Sequence, residues 1–105
     1  MSPSRIDALK GLLEKRPNDP RLRFGLALEY LNADQLEDGV RELRAYLADS
    51  DDEGNAWGRL GQALRSLGQE EEAREAYGAG VEAAYRHGHP TMAAEFEEVL
   101  SDWDD

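Results

Sequence analysis

His87 and His89 are the only histidines of the chain, two apart in the turn His87-Gly88-His89-Pro90, with Glu95 and Asp102 downstream. Imidazole and carboxylate are common zinc and nickel ligands, so metal chemistry is conceivable here if anywhere. A His-x-His turn without a fixed third ligand reads as plain turn, and no metal is expected. The 23 acidic residues fall at solvated helix positions, and none stands out as a paired acid and base. Gly58 and Gly61 sit at helical spacing, where they serve helix packing and not a phosphate loop. No Ser pairs with a His at a recognisable spacing, and there is no Cys to act as nucleophile or thiolate ligand. The chain is therefore read as non-enzymatic, with no catalytic residue and no cofactor.

Bulk properties narrow the class further. One hundred and five residues fit one domain with a real core. A formal charge of −11 repels nucleic acid and anionic membrane alike, so neither is an expected partner. Such acidity also keeps a small domain soluble, or steers it toward a basic partner. Ten of the twelve basic residues are Arg, the exceptions being Lys10 and Lys15, and no physical reason for that bias is evident. No apolar run approaches the ~20 residues needed to span a bilayer. Met1-Ser2-Pro3-Ser4-Arg5 lacks an apolar signal core. With cysteine absent, the expected location is cytoplasmic.

The elements follow from periodicity and punctuation. Ser4 with Asp7 three residues on resembles a capping box, while Pro3 would suit a first helical position after Ser2 as cap. Ile6, Leu9, Leu12 and Leu13 form one stripe of a helix that must end before Pro17. Asp19 caps a second helix with Pro20 at its first position, running to Asn32. Its apolar residues spread around much of its circumference, which predicts neighbours on several sides. Asp34 is the expected cap of a third helix striped by Leu36, Val40, Leu43, Tyr46 and Leu47. The acidic run at 48–53 faces the positive end of a fourth helix, Gly54 to Leu67, and lacks the ligand spacing of a calcium loop. Gly68 is a natural left-handed stop. Glu70, Glu71 and Glu72 open a fifth helix that continues to about Arg86. Pro90 opens a sixth, with Ala93, Phe96, Leu100 and Trp103 on one stripe.

A 34-residue shift relates these elements. Leu26 falls on Leu60, Ala27 on Gly61, Tyr30 on Leu64, Leu43 on Tyr77 and Leu47 on Val81. This spacing, with Trp57, Leu60, Gly61, Gly68, Ala73 and Tyr77 in the second copy, resembles the tetratricopeptide repeat (TPR), a helix-turn-helix unit of 34 residues. The first copy departs from it, with Arg23 for the Trp, Asp34 for the turn Gly and Gly39 for the Ala. Leu9 and Leu13 match Leu43 and Leu47, so the first helix reads as the second half of a repeat. The last helix matches Trp57, Leu60, Leu64 and Leu67 at a spacing of 36, which implies a two-residue insertion at 87–90. Glu97 stands there in place of a small residue, so this helix reads as a cap, apolar toward the stack and acidic outward. The resemblance implies an all-α, right-handed α-solenoid of about six helices in antiparallel hairpins. Its parts are a half repeat at 1–19, repeats at 20–53 and 54–87, and a capping helix at 88–105. Trp57 should be largely buried, with Gly61 against a neighbouring helix.

The resemblance also implies a function. First helices of such repeats line a concave face that holds an extended or helical peptide. The corresponding slots are Arg21, Phe24, Leu28 and Leu31 from the first repeat, and Asn55, Gly58, Gln62 and Arg65 from the second. The family's carboxylate clamp places Lys, Asn and Arg in such slots, where this chain has Phe24, Leu28 and Gly58. The implied activity is an adaptor or scaffold binding a peptide or partner protein. The alternative is a self-assembling homo-oligomer, in the simplest case a homodimer, whose apolar face binds its own copy.

Overall fold

The computed structural model describes residues 4–103, so the alternative start at Ser2 and Pro3 lies outside the described residues. Among the described residues the fold is all-α: α1 (Arg5–Lys15), α2 (Pro20–Asn32), α3 (Leu36–Asp49), α4 (Asn55–Ser66), α5 (Glu70–Arg86) and α6 (Pro90–Asp102). The residues up to Ser50 form one compact unit and those from Asp51 another. In the first unit α1 packs on α2 and α2 on α3. In the second, α4 packs on α5 and α5 on α6.

Caps fall largely where local chemistry puts them. The Ser4 hydroxyl accepts from the Asp7 amide at 3.1 Å, and Asp19 accepts from the Arg21 amide at 3.0 Å. Pro20 and Pro90 stand in the first turns of α2 and α6. Asp34 is a correction. It does not cap α3; Gln35 is the N-cap residue, without a side-chain bond, and Asp34 adopts φ 59°. That is the conformation of Gly68 (φ 80°), 34 residues on. Asp tolerates the left-handed region better than most residues, so it can do the glycine's work in the turn. The same bond closes both turns: Gln35 N–H donates to Tyr30 O and Gln69 N–H to Leu64 O, each at 2.9 Å.

Between α2 and α3 the core is Leu26, Ala27, Tyr30 and Leu43, all buried. Between α4 and α5 it is Leu60, Ala63, Leu64, Ala73, Ala76 and Tyr77. Gly61 lies against the Tyr77 ring as expected: a Cβ there would stand 2.7 Å from Tyr77 Cδ2. Trp57 is only half-buried, short of the burial expected. Its Cβ lies against Gly80 of α5.

The acidic run before α4 has a specific job. Asp52 is buried, and its Oδ2 accepts from the amides of Gly54 at 2.8 Å and Ala56 at 2.9 Å. One carboxylate thus satisfies two of the donors that open α4, reinforced by the helix dipole.

Candidate functional site

Pro20 and its Asp19 cap fix the start of α2, and the helix then carries Arg21, Phe24, Leu28 and Leu31. Arg21 is exposed, its Nε 3.9 Å from Asp19. Phe24, Leu28 and Leu31 are half-buried. The outer two lean on α3. The Phe24 ring centre is 5.0 Å from that of Tyr46, and Leu31 fills the space that a Cβ on Gly39 would need, 2.5 Å away. Gly39 therefore has a packing reason to lack a side chain.

Beside this strip lies a pair that the sequence reading did not single out. Arg23 Nη1 donates to Glu42 Oε1 at 2.7 Å, with Glu42 buried. Arg23 Nη2 also reaches Pro17 O at 3.3 Å, where α1 has just ended. One guanidinium joins three segments of the first unit. A signal for it was present: shifted by 34, Arg23 and Glu42 become Trp57 and Ala76. A basic and an acidic residue replace a large and a small one at the same two places.

In the second unit, Asn55 and Gln62 on α4 face α6 across a groove of about 420 Å³. Its other walls include Arg59, Tyr77, Glu95, Phe96 and Val99. Gly58 lines it too, but is buried, because Phe96 occupies the space its side chain would take: a Cβ on Gly58 would lie 2.6 Å from Phe96 Cζ. Gly80 of α5 meets the same ring at 3.0 Å. Two glycines thus form a notch, and α6 inserts Phe96 into it. Arg65 is not part of this groove. Its guanidinium lies over the Trp103 ring, 4.0 Å from the centroid, with Arg74 at 5.3 Å. Stacking of this kind holds the cation in place. Burial pushes the Tyr77 hydroxyl up from its ordinary value, against the opposing charge of Arg65.

The two histidines bind carboxylates of their own unit. His87 Nε2 is 3.0 Å from Asp51 and His89 Nε2 is 3.1 Å from Glu53, while Arg86 reaches Asp51 at 2.9 Å. The hydrogen bond from His87, then that from Arg86, holds the Asp51 carboxyl below its usual range. Among the described residues no group of three or more His, Asp or Glu could hold a metal ion. Nor, among them, is any helix long and apolar enough to cross a membrane.

Helical hairpins that repeat at 34 residues, with a small residue of one helix set against a large one of the next, define a helical-repeat protein. No protein-family model matches the chain. It is 31% identical over 83 residues to a TPR repeat-containing protein of Pseudomonas aeruginosa, a match spanning 79% of each chain. The chain belongs to the tetratricopeptide repeat family. Its fold is also that of a Bordetella parapertussis protein solved in solution, with a TM-score of 0.81 at 27% identity. That match covers 96% of this chain and 88% of the other. Membership places the chain among protein-interaction modules, which are typically not enzymes.

Proposed function

We propose that the chain is a non-enzymatic adaptor that holds a peptide or protein segment on the exposed faces of its first helices. The groove along α4 carries this reading. Asn55 and Gln62 each bring an amide that can donate and accept, which suits an extended peptide backbone. Seven residues apart on a helix, they are about 10 Å apart, the reach of roughly three extended residues. Tyr77, Phe96 and Val99 beside them offer apolar contact to one side chain. In the first unit, Phe24, Leu28 and Leu31 form an apolar strip with Arg21 at its edge, suited to an apolar anchor with acid next to it. Arg65, stacked on Trp103, contributes charge near the groove without lining it.

The net charge of −11 favours a protein ligand over nucleic acid, and the cysteine-free sequence suits a cytoplasmic setting. Self-association through the same apolar strip is the rival reading. It requires a mass that rises with concentration in light scattering, and a constant monomer excludes it.

The test is a peptide-display selection on the immobilised full chain, followed by calorimetric titration of the selected peptides. Truncating a central aromatic should remove most of the affinity, so Phe24→Ala should weaken peptides held on the first-unit strip about tenfold or more. Gln62→Ala removes an amide that can pair with a peptide backbone, and should weaken peptides held in the second-unit groove severalfold. Arg21→Ala should matter less, because exposed charge contributes little at physiological salt. Peptides indifferent to Phe24, Asn55 and Gln62 alike would place the binding surface elsewhere and overturn the assignment.

A further inference from the structure

In both complete hairpins the second helix keeps one face for the first helix of the same hairpin. On α3 that face holds Gly39, Glu42 and Tyr46, which meet Leu31, Arg23 and Phe24 of α2. On α5 the same register positions are Ala73, Ala76 and Gly80, all buried. Thirty-four residues before the α3 set stand Arg5, Ala8 and Leu12 of α1, and all three are exposed, Leu12 by 44%. No residue of α1 is buried. Its contact with α2 runs along a neighbouring flank, where Leu9 lies 3.8 Å from the place of a Cβ on Gly25. The face that a first helix covers twice elsewhere in the molecule is open on α1.

We propose that this open face is a docking seat, separate from the α4 groove, for an amphipathic helix of another protein with an apolar centre and acidic ends. The charges around the seat select that chemistry. At about 100° per residue, Arg5, Lys15 and Arg16 lie within about 60° of Leu12, whereas Asp7 and Glu14 lie on the far side. Among the described residues neither Lys15 nor Arg16 has an ion pair, and Arg5, paired with Glu29, keeps a side chain that is 83% exposed. In a chain of net charge −11 this is a local basic frame around an apolar centre. From Arg5 to Lys15 the helix rises about 15 Å, so the acids of the incoming helix should stand about ten residues apart.

The two filled seats set the size of the centre. Where α3 has Glu42 the opposing residue is Arg23, and where α5 has Ala76 the register places Trp57. Ala8 repeats the small residue of α5, so it leaves room for a bulky aromatic. A helix fits better than a strand, because the α1 backbone is already bonded within its own helix and would leave an extended peptide's amides unpaired.

The probe is a synthetic helical peptide of about 15 residues, with Glu pairs at both ends and Trp and Leu at its centre. A control peptide carries Lys in place of Glu. Both are titrated into the isotope-labelled full chain and followed by amide chemical shifts. The acidic peptide should shift residues 5–16, the Lys control should not, and Leu12→Asp should weaken binding at least about tenfold. The double variant Lys15→Glu, Arg16→Glu should weaken it severalfold, more at low salt than at high. These positions are exposed, so an unchanged circular-dichroism melt is the check that each variant folds. The proposal fails if the acidic peptide does not bind, if it shifts α4 and α6 instead, or if Leu12→Asp leaves affinity unaltered. A concentration-dependent mass abolished by Leu12→Asp would give the seat to a second copy of this chain, and would equally overturn it. Failure on α1 with retained Gln62-dependent binding leaves the groove reading intact, so the two are separable.

Discussion

Hairpin α2–α3 and hairpin α4–α5 share a 34-residue register and a turn, yet fill their seams with opposite sizes. Ala27 with Leu43 in the first becomes Gly61 with Tyr77 in the second. Arg23 with Glu42 becomes Trp57 with Ala76. Phe24 stacked on Tyr46 becomes Gly58 with Gly80, and there the gap is closed by Phe96 from α6. At two of these places a gain on one helix is matched by a loss on the other, and at the third both lose and Phe96 makes up the volume, as close packing demands. What the two hairpins share is a filled seam, reached with different residue types. The trade has a consequence for function. The first hairpin supplies its own aromatic pair and keeps Phe24 half-exposed, whereas the second depends on α6 to fill its notch and retains a groove beside the plug.

Removing that plug should have the largest effect. Phe96→Ala leaves Gly58 and Gly80 facing a void, and Tyr77 loses an edge contact whose ring centres are 5.8 Å apart. A buried Phe→Ala change costs about 3–5 kcal/mol. Because Phe96 is half-buried, about 2–3 kcal/mol is expected, measured by urea denaturation of the full chain. A loss below about 0.5 kcal/mol would show that the two glycines do not need the ring, and the contrast between the hairpins would collapse at that place.

The charged pair offers a sharper comparison, because it can be exchanged for its counterpart. Arg23→Ala leaves the buried Glu42 without Arg23, its 2.7 Å partner, with only the longer contact from exposed Arg41 at 3.3 Å. It also removes the bond to Pro17 O. A cost of about 2 kcal/mol is expected, below the 3–5 of a fully buried pair because both groups keep some solvent. Arg23→Trp combined with Glu42→Ala installs the second hairpin's pair in the first. That double variant should lie within about 1 kcal/mol of the natural chain, and a double-mutant cycle should show strong coupling. If the double change is as harmful as the sum of the single ones, the register equivalence of these positions is wrong.

Much of this was legible in the sequence, for identifiable reasons. Prolines at 20 and 90, the acid-rich start at Glu70 and the left-handed Gly68 are local signals, and their helix bounds came out within a residue or two. The 34-residue match of Leu26 and Leu43 to Leu60 and Tyr77 named the seams. Assignments that depended on which of two neighbours a side chain chooses were harder. Arg65 had the spacing of a groove residue but stacks on Trp103, some 38 positions along the chain, and nothing local signals that choice. Gly58 lines the α4 groove, but the space at its missing side chain is filled from α6, which its own neighbourhood in the sequence does not signal. Asp52 could not be told from Asp51 or Glu53, since three adjacent acids serve a helix dipole equally well, and only the fold of the turn decides which one is buried. Trp57 is less buried than expected, and its Cβ lies against Gly80, which has no side chain to cover it.

The two turns give the smallest and cleanest test. Asp34 and Gly68 hold the same place, with φ 59° and 80°, and the bonds closing the turns are the same length. An L-residue in this region costs roughly 1–2 kcal/mol, and Asp sits at the low end because its short side chain bonds locally. Glycine has no such strain but loses more chain entropy on folding, worth about 0.5–1 kcal/mol. The two terms nearly cancel at Asp34, where the side chain is exposed. Asp34→Gly should therefore change stability by no more than about 0.5 kcal/mol, with either sign acceptable. At Gly68 the turn has been built around glycine, with open space at the missing Cβ, so Gly68→Asp meets no clash and should lose only about 0.5–1 kcal/mol. Thermal melts of both single variants and the exchanged pair would read this directly. A loss well above 1 kcal/mol at Gly68 with none at Asp34 would mean that the first hairpin has adapted its turn to aspartate by a contact the second lacks, and the turns would no longer be equivalent.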